Sequence, residues 1–86
     1  MNPSVFASLC DVLRKRSEEL AGRDIQACDS LIDLGIDSLE RLSLAVDVEN
    51  LFELQIDDAD LNGVKTVEDL TLLVERLQAE IGRERA

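Results

Sequence analysis

The chain has 86 residues, of which 19 are acidic and 9 basic, so its net charge is −10, and it contains no histidine, tryptophan or tyrosine. This length predicts one small domain with a modest core and little room for a deep active-site cleft. The charge argues against nucleic acid and anionic membranes as partners and leaves basic protein surfaces as the natural ones. Hydrophobic residues make up 45% of the chain and aromatic residues 2%, which argues against disorder and favours a small helical bundle over a β-sandwich.

The first predicted helix covers residues 3–21. Asn2 is a suitable N-cap, Pro3 fits the first helical position, and apolar residues then recur at helical spacing until Gly22. Residues 22–37 have no regular period and are predicted to form a long loop. A loop of this length in a small domain requires that its apolar side chains pack on the helices. The expected anchors are Ile25, Leu31, Leu34 and Ile36.

Three further helices are predicted in the rest of the chain. The second covers residues 38–54, a short one covers about 58–62, and the last covers 66–81, with Thr66 as its N-cap and 82–86 as a frayed tail. In the second helix the expected core stripe consists of Leu39, Leu42, Ala45, Val48 and Phe52. No segment has the pattern of a strand. The predicted fold class is therefore all-α, a single domain with three main helices, one short helix and a long first loop.

The cysteines bear on the cellular compartment. Cys10 and Cys28 lack the spacing of a metal or redox motif, and one pair is not a disulfide framework, so two free thiols in a reducing cytoplasm are expected. The first ten residues lack the basic segment of a targeting signal, and Asp11 interrupts the apolar run. The longest apolar run is far shorter than a membrane span. We therefore expect a cytoplasmic monomer without membrane insertion.

Ser38 stands at the start of the second predicted helix, directly after Asp37. Asp37 and Glu40 have the spacing of a capping box, in which Asp37 caps the helix and Ser38 occupies position N1 with its hydroxyl free. The alternative is that Ser38 is itself the N-cap. A Ser-His-Asp site is excluded because the chain has no histidine, and the second glycine of a nucleophile elbow is missing. The chain is therefore not expected to be an enzyme, and Ser38 is a candidate substrate of another enzyme.

The segment DLGIDSLERL, residues 33–42, resembles the phosphopantetheine attachment motif of acyl carrier proteins. The order of helix, long loop, Asp-Ser-Leu, acidic helix and last helix is similar to that family over nearly the whole chain. The resemblance implies a four-helix bundle in which Ser38 receives a 4′-phosphopantetheine arm from coenzyme A. A separate phosphopantetheinyl transferase would attach the arm with Mg²⁺, and Asp37 would help to position the metal and that enzyme. The thiol of the arm would carry an acyl group as a thioester to synthases, acyltransferases or acyl-activating enzymes.

Acidic residues are concentrated next to Ser38. Residues 37–60 contain eight acids against one base, Arg41, which accounts for −7 of the total charge of −10. Such a field speeds the encounter with basic partner enzymes. The predicted partner surface consists of Leu39, Glu40, Arg41, Val46, Asp47, Glu49 and Glu53. The alternatives are a solvated acidic face without a partner, and burial of Leu39 and Val46 in the core.

Three residues depart from the pattern of fatty-acid-synthase carriers. Arg41 stands where such carriers usually have a neutral or small residue, Ser43 stands where many have an acid, and Asn50 lies in a region that is commonly more acidic. These departures predict a specialised carrier with its own partners, in a lipid, fatty acid or polyketide pathway. The aspartate before the serine favours an acyl or polyketide cargo, and an aminoacyl or peptidyl carrier is the alternative.

A calcium-binding module is the alternative from another class. Residues 58–69 nearly match an EF-hand loop, because Asp58, Asp60 and Asn62 fall at positions 1, 3 and 5 and are followed by a glycine. Position 12, however, is Asp69 rather than the bidentate glutamate, and the chain has no second loop to pair with it. Weak, non-specific divalent binding is the expectation, so no metal site is predicted. A helical interaction domain without a prosthetic group is a further alternative.

Overall fold

A computed structural model of the chain describes the backbone of residues 1–85 and the side chains of residues 1–82. It contains five helices: α1 (Pro3–Arg14), α2 (Glu18–Ala21), α3 (Ser38–Phe52), α4 (Asp58–Asn62) and α5 (Val67–Arg85). These residues hold no strand, and an isolated antiparallel bridge pairs Ser30 with Thr66. The predicted all-α bundle with a long loop is confirmed, and α2 is an additional short helix. None of the helices described is long and apolar enough to cross a membrane.

In place of the single helix predicted over 3–21, the structure has two. The first begins as expected, because Asn2 Oδ1 accepts a hydrogen bond from the backbone N–H of Ser4 at 2.9 Å. It ends at Arg14, and α2 begins after Ser17, whose backbone is extended. Ser17 Oγ accepts a hydrogen bond from the backbone N–H of Leu20 at 3.3 Å and so caps α2. A serine hydroxyl competes with helical hydrogen bonds and favours a cap. The periodicity of the apolar residues does not reveal this interruption.

Residues 22–37 form a loop that is tied to the beginning of α5. The backbone N–H of Glu68 donates to the carbonyl of Ala27 at 2.9 Å. Gly35 has a φ of 86°, in the left-handed region that glycine adopts without strain. The four predicted anchors are all buried: Ile25, Leu31, Leu34 and Ile36. The loop therefore packs on the core as the sequence predicts, and it delivers the chain to the start of α3 in a fixed position.

The side of α3 that faces the core differs from the prediction. Leu44, Ala45 and Val48 are buried, whereas Leu39 and Leu42 are exposed. Successive residues of a helix are about 100° apart, so Leu42 and Leu44 point in roughly opposite directions and only one of them can face the core. The predicted stripe was therefore wrong at its first two positions. Apolar residues occur on several sides of this helix, and spacing alone permits more than one stripe.

The core is a single cluster to which α1, α3, α5 and the long loop contribute. Helix α1 packs against both α3 and α5. The side chains with the least exposure are Leu9, Leu13, Leu31, Leu44, Val48, Val67, Leu70, Thr71 and Val74. The α3 members of this set begin at Leu44, so the helix is anchored by its middle turns. Its first turn, which contains Ser38, stays at the surface.

Helix α5 begins after Thr66, the predicted N-cap. The N–H of Asp69 donates to Thr66 Oγ1 at 3.1 Å, and the N–H of Thr66 donates to Asp69 Oδ2 at 3.2 Å, so the two residues form a reciprocal capping box. The helix continues beyond the predicted end at residue 81, since a single glycine within a helix costs only about 1 kcal/mol. The predicted frayed tail over 82–86 is thus helical up to Arg85. The final residue of that tail lies outside the described part of the chain.

Candidate functional site

Asp37 caps α3 and leaves the hydroxyl of Ser38 free. Asp37 Oδ1 accepts a hydrogen bond from the backbone N–H of Glu40 at 2.9 Å, and its backbone is extended, as an N-cap requires. Ser38 is the first helical residue and is exposed. The alternative in which Ser38 itself caps the helix is therefore wrong. The exposed hydroxyl is accessible to an enzyme that modifies it.

Only one of the two hydrogen bonds of a capping box forms at the start of α3. Its reciprocal bond would run from the backbone N–H of Asp37 to the carboxylate of Glu40. Instead, Glu40 Oε2 accepts a hydrogen bond from Arg16 Nη2 at 2.6 Å. The spacing of Asp37 and Glu40 correctly predicted the cap. It gave no indication that Arg16 would bind the Glu40 carboxylate.

Two shallow hollows open beside Ser38. One is lined by Ser38, Arg41, Leu42, Asp58, Leu61 and Asn62. The other lies between α3 and the long loop, and its apolar wall includes Leu31, Ile32, Ile36 and Val64. Their linings combine apolar side chains with Arg41, which suits a flexible group that has an anionic and an apolar part. The free hydroxyl and these hollows therefore fit a phosphopantetheine group joined to Ser38.

Arg41, which the sequence marked as unusual, lies between α3 and the segment that precedes α5. Its Nη1 donates to the backbone carbonyl of Val64 at 3.3 Å, and the side chain is half-buried. A guanidinium has five N–H donors, so this bond occupies one of them. Arg41 thus stabilises the position of α3 against the neighbouring segment and retains donors next to Ser38.

An apolar ridge runs along α3 on the side opposite the core. Leu39 is 78% exposed, Leu42 51% and Val46 52%. These positions are three and four residues apart, so they lie on one face of the helix. Burial of Leu39 and Val46, the alternative left open by the sequence, is therefore wrong. Ile32 of the long loop is 76% exposed and was missed as a surface residue, because an isolated isoleucine in an aperiodic loop resembles the buried anchors beside it.

The acidic side of α3 is partly neutralised from within the chain. Arg16 Nη2 lies 2.6 Å from Glu40 Oε2 and Arg16 Nη1 lies 2.7 Å from Asp47 Oδ2. Glu49 Oε2 accepts a hydrogen bond from the backbone N–H of Ile56 at 2.8 Å. Three of the acids predicted to meet a partner therefore have intramolecular contacts. Sequence reasoning missed Arg16, since 24 and 31 residues separate it from the two acids and no local spacing links them.

Glu53 is the exception among the predicted acids. It is exposed and ends α3 with a φ of 54°, in the left-handed region. Within the described residues its carboxylate has no hydrogen-bond or ion-pair partner. Together with Asp57 and Asp58, which are also exposed, it leaves negative charge available at the far end of α3 and the start of α4.

The segment that resembles a calcium loop does not have the geometry of one. Asp58, Asp60 and Asn62 lie on helix α4, whereas an EF-hand holds its ligands on a loop between two helices. The carboxylate of Asp60 accepts a hydrogen bond from Arg76 at 2.7 Å. The carboxylate at position 12 of the loop is the capping partner of the α5 N-terminus. The EF-hand alternative is therefore wrong, because helix formation and capping explain these residues.

Both cysteines are free thiols, as the sequence predicts. Cys10 is buried in the core, and the removal of water raises the pKa of its thiol above the usual range, an effect that the nearby Arg14 partly opposes. Cys28 is exposed in the long loop. The two thiols therefore differ in accessibility, and neither lines the hollows beside Ser38.

Comparisons with known proteins identify a family whose profile covers most of the chain. The sequence profile of the family described as "Phosphopantetheine attachment site" matches residues 5–82. An acyl carrier protein of Phytoplasma australiense is 46% identical over 44 residues, which make up 51% of this chain and 58% of that relative. The chain spans little more than half the length of the curated relatives that it matches.

Two solved structures are similar over most of their length. A crystal structure of an acyl carrier protein from Thermotoga maritima matches with a TM-score of 0.73 at 24% identity, over 94% of this chain and 99% of that one, which shows a shared fold. A proposed acyl carrier protein from Mycobacterium tuberculosis matches with a TM-score of 0.65 at 32% identity, over 84% of this chain and 90% of that one.

Proposed function

The chain belongs to the family of phosphopantetheine attachment domains, whose profile matches residues 5–82, and we propose that it is an acyl carrier protein with Ser38 as its attachment residue. The main support for this proposal is that the adjacent residues Asp37 and Ser38 have separate roles. Asp37 caps α3 through a 2.9 Å hydrogen bond, and Ser38 is exposed with its hydroxyl free. A serine that is needed for the cap would be a poor substrate, because its modification would expose the helix end.

The role of Ser38 is that of a nucleophile in a reaction that another enzyme catalyses. Its oxygen forms a bond to the pantetheine-bearing phosphorus of coenzyme A. The bond from that phosphorus to the adenosine bisphosphate part breaks, and the hydroxyl proton passes to a base of the transferase. Asp37 borders Ser38 and assists the Mg²⁺-dependent transferase. Once bound, the group supplies a terminal thiol that holds an acyl chain as a thioester, so this chain needs no catalytic residue of its own and is not an enzyme.

The surface around Ser38 supports docking of larger enzymes. The apolar ridge of Leu39, Leu42 and Val46 provides contact area beside the attachment residue. The exposed acids at the end of α3 and the start of α4 favour basic partner surfaces through long-range attraction. The proposed partners are the transferase and the synthases, acyltransferases or acyl-activating enzymes that use the loaded carrier. We propose that the protein acts as a cytoplasmic monomer.

Intact mass spectrometry tests the attachment. The protein is incubated with coenzyme A, Mg²⁺ and a phosphopantetheinyl transferase of broad specificity. We expect one arm to be added to the wild type and to Ser43→Ala, which alters another exposed serine of α3, and none to Ser38→Ala. A gain of mass in Ser38→Ala, or no gain in the wild type while a known carrier is loaded in the same mixture, would refute the proposal.

The cargo distinguishes two versions of the proposed function. A specialised lipid, fatty acid or polyketide pathway would use an acyl cargo, in keeping with the aspartate before Ser38, and the alternative is an aminoacyl or peptidyl carrier. The loaded protein is offered to a fatty-acid-activating enzyme and, separately, to amino-acid-activating enzymes. Acylation by the first enzyme supports the acyl carrier. Aminoacylation without acylation would establish the alternative.

A further inference from the structure

Arg41 is the one cation on α3, and it lies one helical turn from the attachment residue. Residues three positions apart in a helix have Cβ atoms about 5–6 Å from each other. Ser38 and Arg41 accordingly line the same two hollows, one on the side of α4 and one on the side of the long loop. A group joined to the Ser38 hydroxyl can occupy either hollow, and in both it lies close to the Arg41 side chain.

The guanidinium of Arg41 is held in place and retains unused donors. Its bond to the carbonyl of Val64 fixes the side chain between α3 and the segment before α5. Among the described residues, no carboxylate forms an ion pair with Arg41, although eight acids lie between residues 37 and 60. By contrast, Arg14, Arg16 and Arg76 each lie within ion-pair distance of an acid, Arg14 at 3.8 Å from Asp11. Arg41 is thus an arginine with free N–H groups beside a serine that receives a phosphate ester.

The other charges at the hollows show why the anion must be tethered. Lys65 lines the loop-side hollow with Arg41, but Asp37 borders the same hollow and Asp58 borders the other. These charges nearly cancel, so the site does not concentrate free anions. An anion that is covalently joined to Ser38 is present at a high effective concentration and needs no such attraction. Arginine is suited to this contact because its fork of donors matches phosphate oxygens.

On the basis of the proposed function, we infer that Arg41, assisted by Lys65, binds the phosphodiester that joins the arm to Ser38. Arg41 therefore faces the prosthetic group rather than a partner enzyme. The contact fixes the first part of the arm against α3, while the distal part with its thiol is free to reach the active sites of other enzymes. The departure of Arg41 from the common pattern of such carriers gains a physical explanation.

A thermodynamic cycle tests this inference. The wild type, Arg41→Gln and Lys65→Gln are each prepared without the arm and with it, with loading followed to completion by intact mass. The folding equilibrium constant of each form is measured by urea denaturation. We expect loading to raise this constant about 1.5- to 5-fold more in the wild type than in Arg41→Gln, which is the range of exposed ion pairs. Lys65→Gln should show a smaller difference of the same sign.

Arg14→Gln is the matched control for the cycle. Arg14 is also half-buried and donates to a backbone carbonyl, that of Arg23, at 3.3 Å, yet it lines neither hollow at Ser38. Any general effect of losing an arginine is already present in the form without the arm and cancels in the cycle. We expect loading to affect Arg14→Gln as it affects the wild type. An equal effect of loading in the wild type and Arg41→Gln would overturn the inference.

A second measurement uses the wild type alone. The side-chain Nε–Hε signals of the arginines are recorded by NMR before and after loading. The Arg41 signal should move on loading while the Arg14 signal stays in place, and the shift should shrink in about 1 M NaCl, where the Debye length is about 3 Å. An Arg41 signal that moves no more than that of Arg14 would refute the contact. The mass gain of the wild type is read independently, so a failure of attachment at Ser38 and a failure of the Arg41 contact are distinguishable.

Discussion

Replacement of Arg16 by glutamine should destabilise the bundle by disconnecting α3 from the turn that follows α1. The guanidinium spans Glu40 and Asp47, at 2.6 and 2.7 Å, and the Arg16 side chain is only 13% exposed. Ion pairs at exposed sites contribute about 0.2–1 kcal/mol each. The two acids are about half exposed, which keeps each contribution within that range.

One feature of the arginine reduces the expected loss. The Arg16 Nε is buried without a hydrogen-bond partner, which costs desolvation free energy in the folded state. The Arg16→Gln substitution removes this cost. The net loss in the free energy of unfolding should therefore be about 1 kcal/mol. For a domain of this size, a loss of about 1 kcal/mol lowers the melting temperature by about 4–8 °C.

Thermal unfolding followed by circular dichroism measures this effect, with Lys15→Gln as the control. Lys15 is the exposed neighbour of Arg16 and has no ion pair within the described residues. The Lys15→Gln substitution therefore removes one positive charge at the same place without removing an ion pair. The difference between the two variants should narrow in about 1 M NaCl, because salt screens the pairs. A melting temperature of Arg16→Gln that is no lower than that of Lys15→Gln would show that the two acids are not held by Arg16.

Three further predictions concern the cap, the core and the thiols. Asp37→Ala should lower the free energy of unfolding by about 1 kcal/mol in urea denaturation, whereas Ser38→Ala should change it by less than about 0.5 kcal/mol, because Asp37 alone caps α3; equal losses would contradict this assignment. Leu44→Ala should cost about 2–5 kcal/mol and broaden or abolish the thermal transition, since the side chain is buried in the core, and a stability close to that of the wild type would contradict its placement. At pH 8 a thiol reagent should modify Cys28 rapidly and Cys10 slowly, because Cys10 is buried and its raised pKa lowers the thiolate fraction. Rapid modification of the single remaining thiol in the native Cys28→Ser variant would contradict the burial of Cys10.

Local chemistry explains which parts of the fold and the site follow from the sequence. The caps at Asn2, Asp37 and Thr66 depend on residues that are two or three positions apart, and such spacings are visible in the chain itself. The long loop contains apolar residues whose transfer out of water is favourable, so their burial in the core was predictable. The identity of Ser38 as a free hydroxyl rested on the same logic, because its neighbour supplies the cap.

The tertiary structure decided the features that depend on distant residues. Several sides of α3 carry apolar residues, and only packing against α1 and the rest of the core selected Leu44 over Leu42, which left the ridge that begins at Leu39 at the surface. The pairing of Arg16 with two acids of α3 joins positions with no local relation, and the helical form of α4 removed the calcium-loop interpretation. Sequence determines local hydrogen bonding and the apolar content of each segment, whereas the choice among alternative faces and charge pairs is made by the geometry of the assembled core.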